Sequence, residues 1–518
     1  MKMKTKVLLA TTLVFIAATL CGANVALPDV ISEAMVIQRD RPVPIWGQAD
    51  AGEVVTVRFA GQSKHATAGV DGKWQLRLDP LHANATPATM IISGKNTIEL
   101  KNILVGEVWL VSGQSNMQRL LSETANGEAA IAGATHPLIR LFNVSRQVAF
   151  RHRPPPLGAW QACSPASVKE FSAAGYYFGV ELQQELNVPI GLINSSYGGS
   201  QAEAWTPVEY LLASADLRPT VERTKIWDAE RAQVKADYDQ KLQEWRADAD
   251  KAKAAGARPQ PSPAVPDALR EYRIASSIYD GMIAPLIPFP IRGAFWYQGE
   301  SNEARAQQYG LLLPTMIKAW RERWGQGAFP FGVIQLPNYR DSKAEPADEA
   351  WSHIREAQRR TVASMTNTGL IVTIDIGEAH DIHPKNKLDV GRRMARWALA
   401  EVYGRRITKS GPMLSKASIA GSKIVLTFVE AGQGLRIRDG EKLDEFAIAG
   451  ADHKWFWARA RIVGKNRVEV WSDTVSQPLA VRYAFNNNPK HPNLTNETGL
   501  PAAPFRTDDW PGPTDGKH

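Results

Sequence analysis

Cysteine is nearly absent from this 518-residue chain, and its two copies, Cys21 and Cys163, are far apart. Cys21 falls in an apolar stretch near the start. If that stretch is removed, Cys163 stands alone, no disulfide within the chain is possible, and stability must come from burial. Cys163 sits in Ala162-Cys163-Ser164-Pro165 with no histidine motif beside it, which reads as a buried or bystander thiol rather than a nucleophile. An excess of one charge is missing too. The formal charge of +8 falls to +5 once Lys2, Lys4 and Lys6 leave with a leader, and no basic block of the kind that binds nucleic acid occurs. Long apolar runs are scarce: Val7 to Leu20 is short of the roughly 20 residues a membrane-spanning helix needs. With three lysines before it and small residues at Ala23 and Ala26 after it, the run reads as part of a cleaved signal peptide over residues 1–26. That predicts a periplasmic or secreted protein. The bulky Leu20 before Cys21 speaks against a lipid anchor. No H-E-x-x-H pattern occurs, and His380 and His383 have no third clustered ligand, so neither metal nor cofactor is expected. The sequence leaves oligomeric state open.

What is present is an ordinary globular balance, 44% apolar and 22% charged, in a chain too long for one core. The stretch that organises it is Val108-Trp109-Leu110-Val111-Ser112-Gly113-Gln114-Ser115-Asn116-Met117-Gln118. Four residues of strong strand propensity break into a small polar turn, which leaves the Ser115 hydroxyl at a strand's carboxyl end, where open α/β sheets bind ligands. An isolated G-x-S is more often only a loop. Here three further stretches follow in order, each tied to an apolar segment and ending in hydrogen-bonding groups: Tyr197-Gly198-Gly199-Ser200, Phe295-Trp296-Tyr297-Gln298-Gly299-Glu300-Ser301-Asn302 and Asp381-Ile382-His383-Pro384.

Together, G-Q-S-N-M, Y-G-G-S-Q-A-E-A-W, F-W-Y-Q-G-E-S-N and D-I-H-P-K-N-K resemble the sialate O-acetylesterase family, a carbohydrate-esterase branch of the SGNH hydrolases, from roughly residue 25 onward. The resemblance implies a three-layer α/β catalytic domain and removal of acetyl groups from sugars without a cofactor. It does not name the sugar: acetylated sialic acid and plant cell-wall polysaccharide such as xyloglucan both fit. A catalytically inert glycan-binding protein and a lipase or thioesterase on the same fold are the rival readings.

Along the chain, residues 27–105 read as a β-sandwich-like domain from alternating runs such as Val54 to Phe59 and Trp74 to Leu78 separated by Gly and Asp turns. Residues 106–404 read as the esterase domain, with strands at Leu138–Val144, Val188–Asn194, Phe289–Tyr297 and Leu370–Ile376. Helices are expected at Phe171–Leu186, at Glu349–Arg360 with Asp348 as N-cap, and at Leu388–Val402; this alternation predicts a parallel sheet. Between about 218 and 275, Trp227, Val234, Tyr238, Leu242 and Trp245 recur at helical spacing before the proline-rich Pro259 to Pro263, which predicts an inserted helical hairpin. Its tryptophans read as the helix's own packing face in preference to a sugar platform. Residues 405–518 return to β, with strands such as Ile424–Phe428 and Val468–Trp471.

For the chemistry, Ser115 is the expected nucleophile and His383 the base, in a loop stiffened by Pro384. Asp381 is the expected orienting acid, although the usual SGNH acid lies three residues before the histidine and Asp381 only two. Glu378, Asp375 or a backbone carbonyl remain alternatives. The oxyanion is expected on the N–H groups of Ser115 and of Gly198 or Gly199, with the amide of Gln298 added by the resemblance. Asn116, Trp205, Glu300 and Asn302 are candidates for contact with an acetylated carbohydrate, with Trp205 readable as either core or a sugar-stacking wall and Glu300 read in preference as an anchor for the Gln298 loop.

Overall fold

The protein is described by a computed structural model over residues 24–148 and 157–518. Most of the leader expected over 1–26 therefore lies outside the described residues. The centre of the molecule is the 17-residue strand Thr97–Gly113. Its second half is apolar at nearly every position, as a strand covered on both faces must be. Val108 and Leu110 point into one core and Trp109 and Val111 into the other. Parallel neighbours flank it: Gly293–Tyr297 on one side, followed outward by Phe331–Ile334 and Thr368–Ile371; Ile190–Ser196 on the other, followed by His136–Asn143 and the antiparallel edge strand Trp160–Cys163.

Helices cover both faces. Ala173–Leu186 and Leu388–Glu401 pack on each other over one face, where Trp109, Phe178, Phe295 and Trp397 interlock edge and face. Ala306–Trp324 and Ala350–Ser364 cover the other, where Trp296 meets Trp320 and Trp320 meets Phe331. The expected mixed α/β architecture is present. After Thr97–Gly113 the chain builds first on one side of that strand and later on the other. The crevice at its carboxyl end is therefore the topological switch point at which such sheets bind ligands.

The flanking regions are β. The first half of Thr97–Gly113 pairs antiparallel with Asn84–Ser93 and parallel with Val36–Gln38, so one strand belongs to the N-terminal sheet and to the catalytic sheet. Beyond residue 412, two four-stranded sheets and a two-stranded one make up the C-terminal region. The expected helical hairpin is instead one 37-residue helix, Arg218–Ala254, with a return segment that holds only short 3-10 turns. Pro259, Pro261, Pro263 and Pro266 explain the difference: proline lacks the N–H a second helix needs and bars α conformation from the residue before it. Trp227, Val234, Tyr238, Leu242 and Trp245 are all half-buried on one face, and Trp245 donates its indole N–H to the Gln260 carbonyl (2.8 Å) in the return segment, as a packing face should. Asp348 is not the N-cap expected of it. Glu349 holds the N-cap position without a side-chain cap, its carboxylate accepting the Asn487 N–H (2.8 Å), and Asp348 pairs with His353 (2.5 Å) and Arg482 (3.1 Å). Cys163 is buried, and burial pushes its thiol up to about 12, which leaves it inert. No helix among the described residues is long and apolar enough to cross a membrane.

Candidate active site

At the end of the central strand, Gly113 adopts φ +138° against the Tyr297 carbonyl, which a Cβ at this position would strike. Gln114 N–H bonds that carbonyl (3.0 Å), and the chain enters a single helical turn at Ser115. A tight turn here requires glycine, and its result is that the hydroxyl faces an open pocket of about 760 Å³. From the loop after the last parallel strand, His383 places Nε2 2.8 Å from Ser115 Oγ. These are the two groups a serine hydrolase brings together. Burial foremost, then the positive charges of Arg119 and Lys387, hold the His383 imidazole below its ordinary pKa despite the opposing Asp381, so it is neutral and able to accept a proton at pH 7.

Of the candidate acids, Asp375 is committed to Arg393 (2.7 and 2.8 Å) and Arg438 (3.2 Å), and Glu378 accepts the Lys385 N–H (2.7 Å). Asp381 accepts the backbone N–H of His383 (2.8 Å), and its carboxylate lies 3.9 Å from Nδ1, beyond hydrogen-bond reach. His380 is exposed, 3.8 Å from Asp341. Among the described residues no group of three or more His, Cys, Asp or Glu side chains could hold a metal ion.

Beside Ser115, Gly198 brings its backbone close enough that an added Cβ would sit 3.4 Å from the serine Cβ, and Gly199 turns with φ +74°. Gly198 N–H is spent on Gln118 Oε1 (2.7 Å), whereas the N–H groups of Ser115 and Gly199 have no acceptor among the described residues.

Four expected contacts are elsewhere. Gln298 is fully buried outside the pocket, with its amide N–H groups on Asn302 Oδ1 (2.7 Å) and the Ser200 carbonyl (3.3 Å), so as placed it is not an oxyanion donor. Asn302 is buried as well. It donates to Glu203 (2.8 Å) and accepts from Ala202 N–H (2.9 Å), which fixes the orientation of both amides. Trp205 is core, its ring edge on Trp296 at 5.5 Å and its N–H on Ser200 Oγ (2.9 Å). Asn116 has no exposed surface and binds protein on both sides: its amide donates to Glu300 (2.6 Å) and to the Ile382 carbonyl (3.0 Å), and its oxygen accepts from Lys387 (2.8 Å). Glu300 is thus an anchor, though for the serine turn rather than for Gln298. The glutamate of Y-G-G-S-Q-A-E-A-W, Glu203, is buried and ion-paired to Arg223 of the long helix (2.8 Å) and Arg305 (2.5 Å), which braces the insertion against the third motif.

The pocket wall is made instead by Asn143, Asn194, Arg119, Arg146, Glu123 and Glu170, six side chains the sequence reading passed over. Asn194 donates to Asn143 (2.9 Å) and accepts from Ser196 Oγ (2.8 Å). Its signal was its place at the end of the strand that carries the glycine pair.

A family model for a carbohydrate esterase, sialic acid-specific acetylesterase, matches residues 105–248 and 267–400. The human sialate O-acetylesterase is 27% identical over 95% of this chain and 94% of its own length, and the mouse protein is 27% identical over 93% and 94%. A carbohydrate acetylesterase from Xanthomonas citri, known from its crystal structure, superposes with a TM-score of 0.77 at 34% identity and covers 94% of this chain and 100% of its own. The segment the family model skips, 249–266, is the tip of the insertion, outside the serine and histidine machinery. With its serine turn, histidine loop and glycine pair all inside the matched residues, the chain belongs to the family of carbohydrate esterases that are sialic acid-specific acetylesterases, and it is a carboxylic ester hydrolase.

Proposed function

We propose that the protein is an exported serine esterase of SGNH type that removes O-acetyl groups from carbohydrates, acetylated sialic acid or a plant cell-wall polysaccharide such as xyloglucan, through an acetyl-enzyme. The observation that carries this reading is the 2.8 Å contact between His383 Nε2 and Ser115 Oγ on the floor of a polar pocket. Ser115 Oγ attacks the acetyl carbonyl as its proton passes to His383 Nε2. The oxygen that becomes negative is met by the N–H groups of Ser115 and Gly199, with Gly198 joining when Gln118 gives way. Losing one such donor typically costs about 10²–10³ in rate. The tetrahedral species collapses, the sugar oxygen leaves with the proton held on His383, and water repeats the sequence on the acetyl-enzyme to release acetate. Asp381 favours the imidazolium electrostatically and pins the histidine backbone.

The pocket is lined with amide, guanidinium and carboxylate groups, which suits a polyhydroxylated ligand and not a long acyl chain. The test is acetate release by wild type and Ser115→Ala side by side, on acetylated sialic acid and on acetylated xyloglucan oligosaccharides. Serine-dependent release from one and not the other identifies the sugar. Undiminished release by a folded Ser115→Ala protein would remove the mechanism.

A further inference from the structure

Lys387 belongs to the D-I-H-P-K-N-K stretch but has no role in the steps above, and it is 1% exposed. Lysine is almost never fully buried without partners, and its partners here are informative. Its ammonium donates to the Pro384 carbonyl (2.7 Å) and to Asn116 Oδ1 (2.8 Å), with the Tyr297 ring 5.7 Å away. Asn116 directly follows the nucleophile, and its amide holds the Ile382 carbonyl (3.0 Å) and Glu300 (2.6 Å). The carbonyls immediately before and after His383 are therefore both gripped by donors, and the two donors are bonded to each other and to the residue next to Ser115. Asp381, by contrast, stands 3.9 Å from the imidazole nitrogen it would orient.

We propose that Lys387 is a positioning residue for ester hydrolysis: with Asn116 it clamps the peptide carbonyls on either side of His383 to the serine turn and thereby sets the contact between the two reacting side chains. This inference rests on the serine and histidine reading above. It explains how the base keeps its place over the nucleophile without a close carboxylate. It also explains why a carboxylate with one buried, unpartnered oxygen, Glu300 Oε2, is kept behind the turn. Glu300 supports the cation that does the clamping, and burial pushes the Glu300 carboxyl up while Asn116 and Lys387 oppose the shift. Burial brings Lys387 itself down to about 7, with Glu300, Asp381 and Glu378 favouring its charge and Arg119 opposing it.

The clamp has an electrostatic side that plain packing lacks. The Lys387 charge lies close enough to His383 to disfavour the imidazolium, acting with Arg119 and against Asp381 and Glu123. Removing it should both loosen the base and raise the imidazole pKa.

The experiment compares wild type, Lys387→Met, Asn116→Ala, the double variant and Ser115→Ala, using 4-nitrophenyl acetate and an acetylated sugar, with circular dichroism and thermal melting on each. Lys387→Met is expected to lower kcat about 10²-fold with KM within twofold of wild type, since a misplacement on the order of 1 Å costs that much. The acid limb of kcat/KM should move to higher pH. The double variant should be little worse than either single one, because both cut the same clamp. If Lys387→Met does not fold, Asn116→Ala, which removes the lysine's acceptor and keeps the cation, must show the same fall in kcat at constant KM. A folded Lys387→Met or Asn116→Ala enzyme with full kcat overturns the clamp, as does a loss without any shift of the acid limb in Lys387→Met. Normal turnover by Ser115→Ala would instead overturn the serine and histidine reading on which the clamp depends, so the two failures are distinguishable.

Discussion

Asp381→Asn is the substitution whose size the geometry sets most directly. In an intimate triad the carboxylate bonds Nδ1 and its loss costs about 10⁴ in kcat. Here it is 3.9 Å from Nδ1, and both side chains are about a third exposed, 37% for Asp381 and 30% for His383. For an effective dielectric of roughly 40 to 80, two unit charges at that separation interact by about 1–2 kcal/mol. That is the amount by which the carboxylate favours the imidazolium formed in the transition state, equivalent to a factor of about 6–35 in rate. Asparagine keeps an oxygen that can accept the His383 N–H, so the loop should stay in place and the loss should be electrostatic. The sign on the pH axis follows: Asp381 favours protonated His383, so its removal lowers the imidazole pKa and moves the acid limb of kcat/KM to lower pH, opposite to the effect of removing Lys387. The assay is initial-rate hydrolysis of 4-nitrophenyl acetate between about pH 4 and 9, with melting curves as the control. A loss of 10³ or more, or an acid limb moving upward, would refute the reasoning and place the carboxylate on Nδ1 during turnover.

Other outcomes are expected from the same structure. Wild type should keep its activity below the ordinary histidine pKa of about 6.5, since burial and Arg119 hold His383 down, and a pH profile reads this directly. Gly113→Ala should lower the melting temperature and kcat together, because it forces a Cβ against the Tyr297 carbonyl at φ +138°, a strain of about 1–3 kcal/mol two residues from Ser115. Asp508 is pushed up by burial but held below its ordinary value by Arg482 and Arg506. Its contribution to stability is complete above the unfolded carboxyl pKa of about 4 and is lost as pH falls through the lower folded value. Asp508→Ala should cost about 3–5 kcal/mol in denaturant unfolding at pH 7, by leaving two buried arginines short of a partner. Trp245→Ala should leave turnover of small and sugar esters unchanged, since the ring packs on the return segment at Gln260.

The serine and histidine that the structure brings to 2.8 Å are legible in the sequence because their signals are local. An apolar strand ending in small polar residues is a turn by its own chemistry, and a histidine after the last strand can reach it only at the carboxyl edge of a parallel sheet. The neighbours of that pair were less legible for a physical reason. Gln298, Asn302, Trp205 and Asn116 lie in the same polar stretches as the reacting groups, and spacing does not tell a side chain that faces the pocket from one that bonds its counterpart in another stretch. Here Asn116 bonds Glu300, the Ile382 carbonyl and Lys387, and Gln298 and Asn302 bond Ser200, Ala202 and Glu203, which ties the separate loops into one floor. Lys387 carries no local signal, since a lysine is rarely buried and the sequence does not show the partners that bury it here. Asn194 closes the expected strand Val188–Asn194, and only the fold shows that this strand ends in the pocket. The single long helix differs from the expected hairpin because the helical spacing that ends at Trp245 belongs to one helix, and the prolines from Pro259 onward bar a second one.

The strand Thr97–Gly113, which belongs to two sheets, has a consequence for how this protein can be cut, shuffled or pulled apart. Modular proteins can be severed at a linker and each piece survives; here the only covalent path from the N-terminal sheet to Ser115 is the central strand of the catalytic sheet itself. A nick near Val105 would unseat Ser115 as well as the sheet before it. The two halves should therefore melt in one transition, which calorimetry would read. Force applied at the N-terminal sheet would travel along a continuous ladder to the serine turn, so the front of the molecule acts as the mount of the active site and not as an appendage to it.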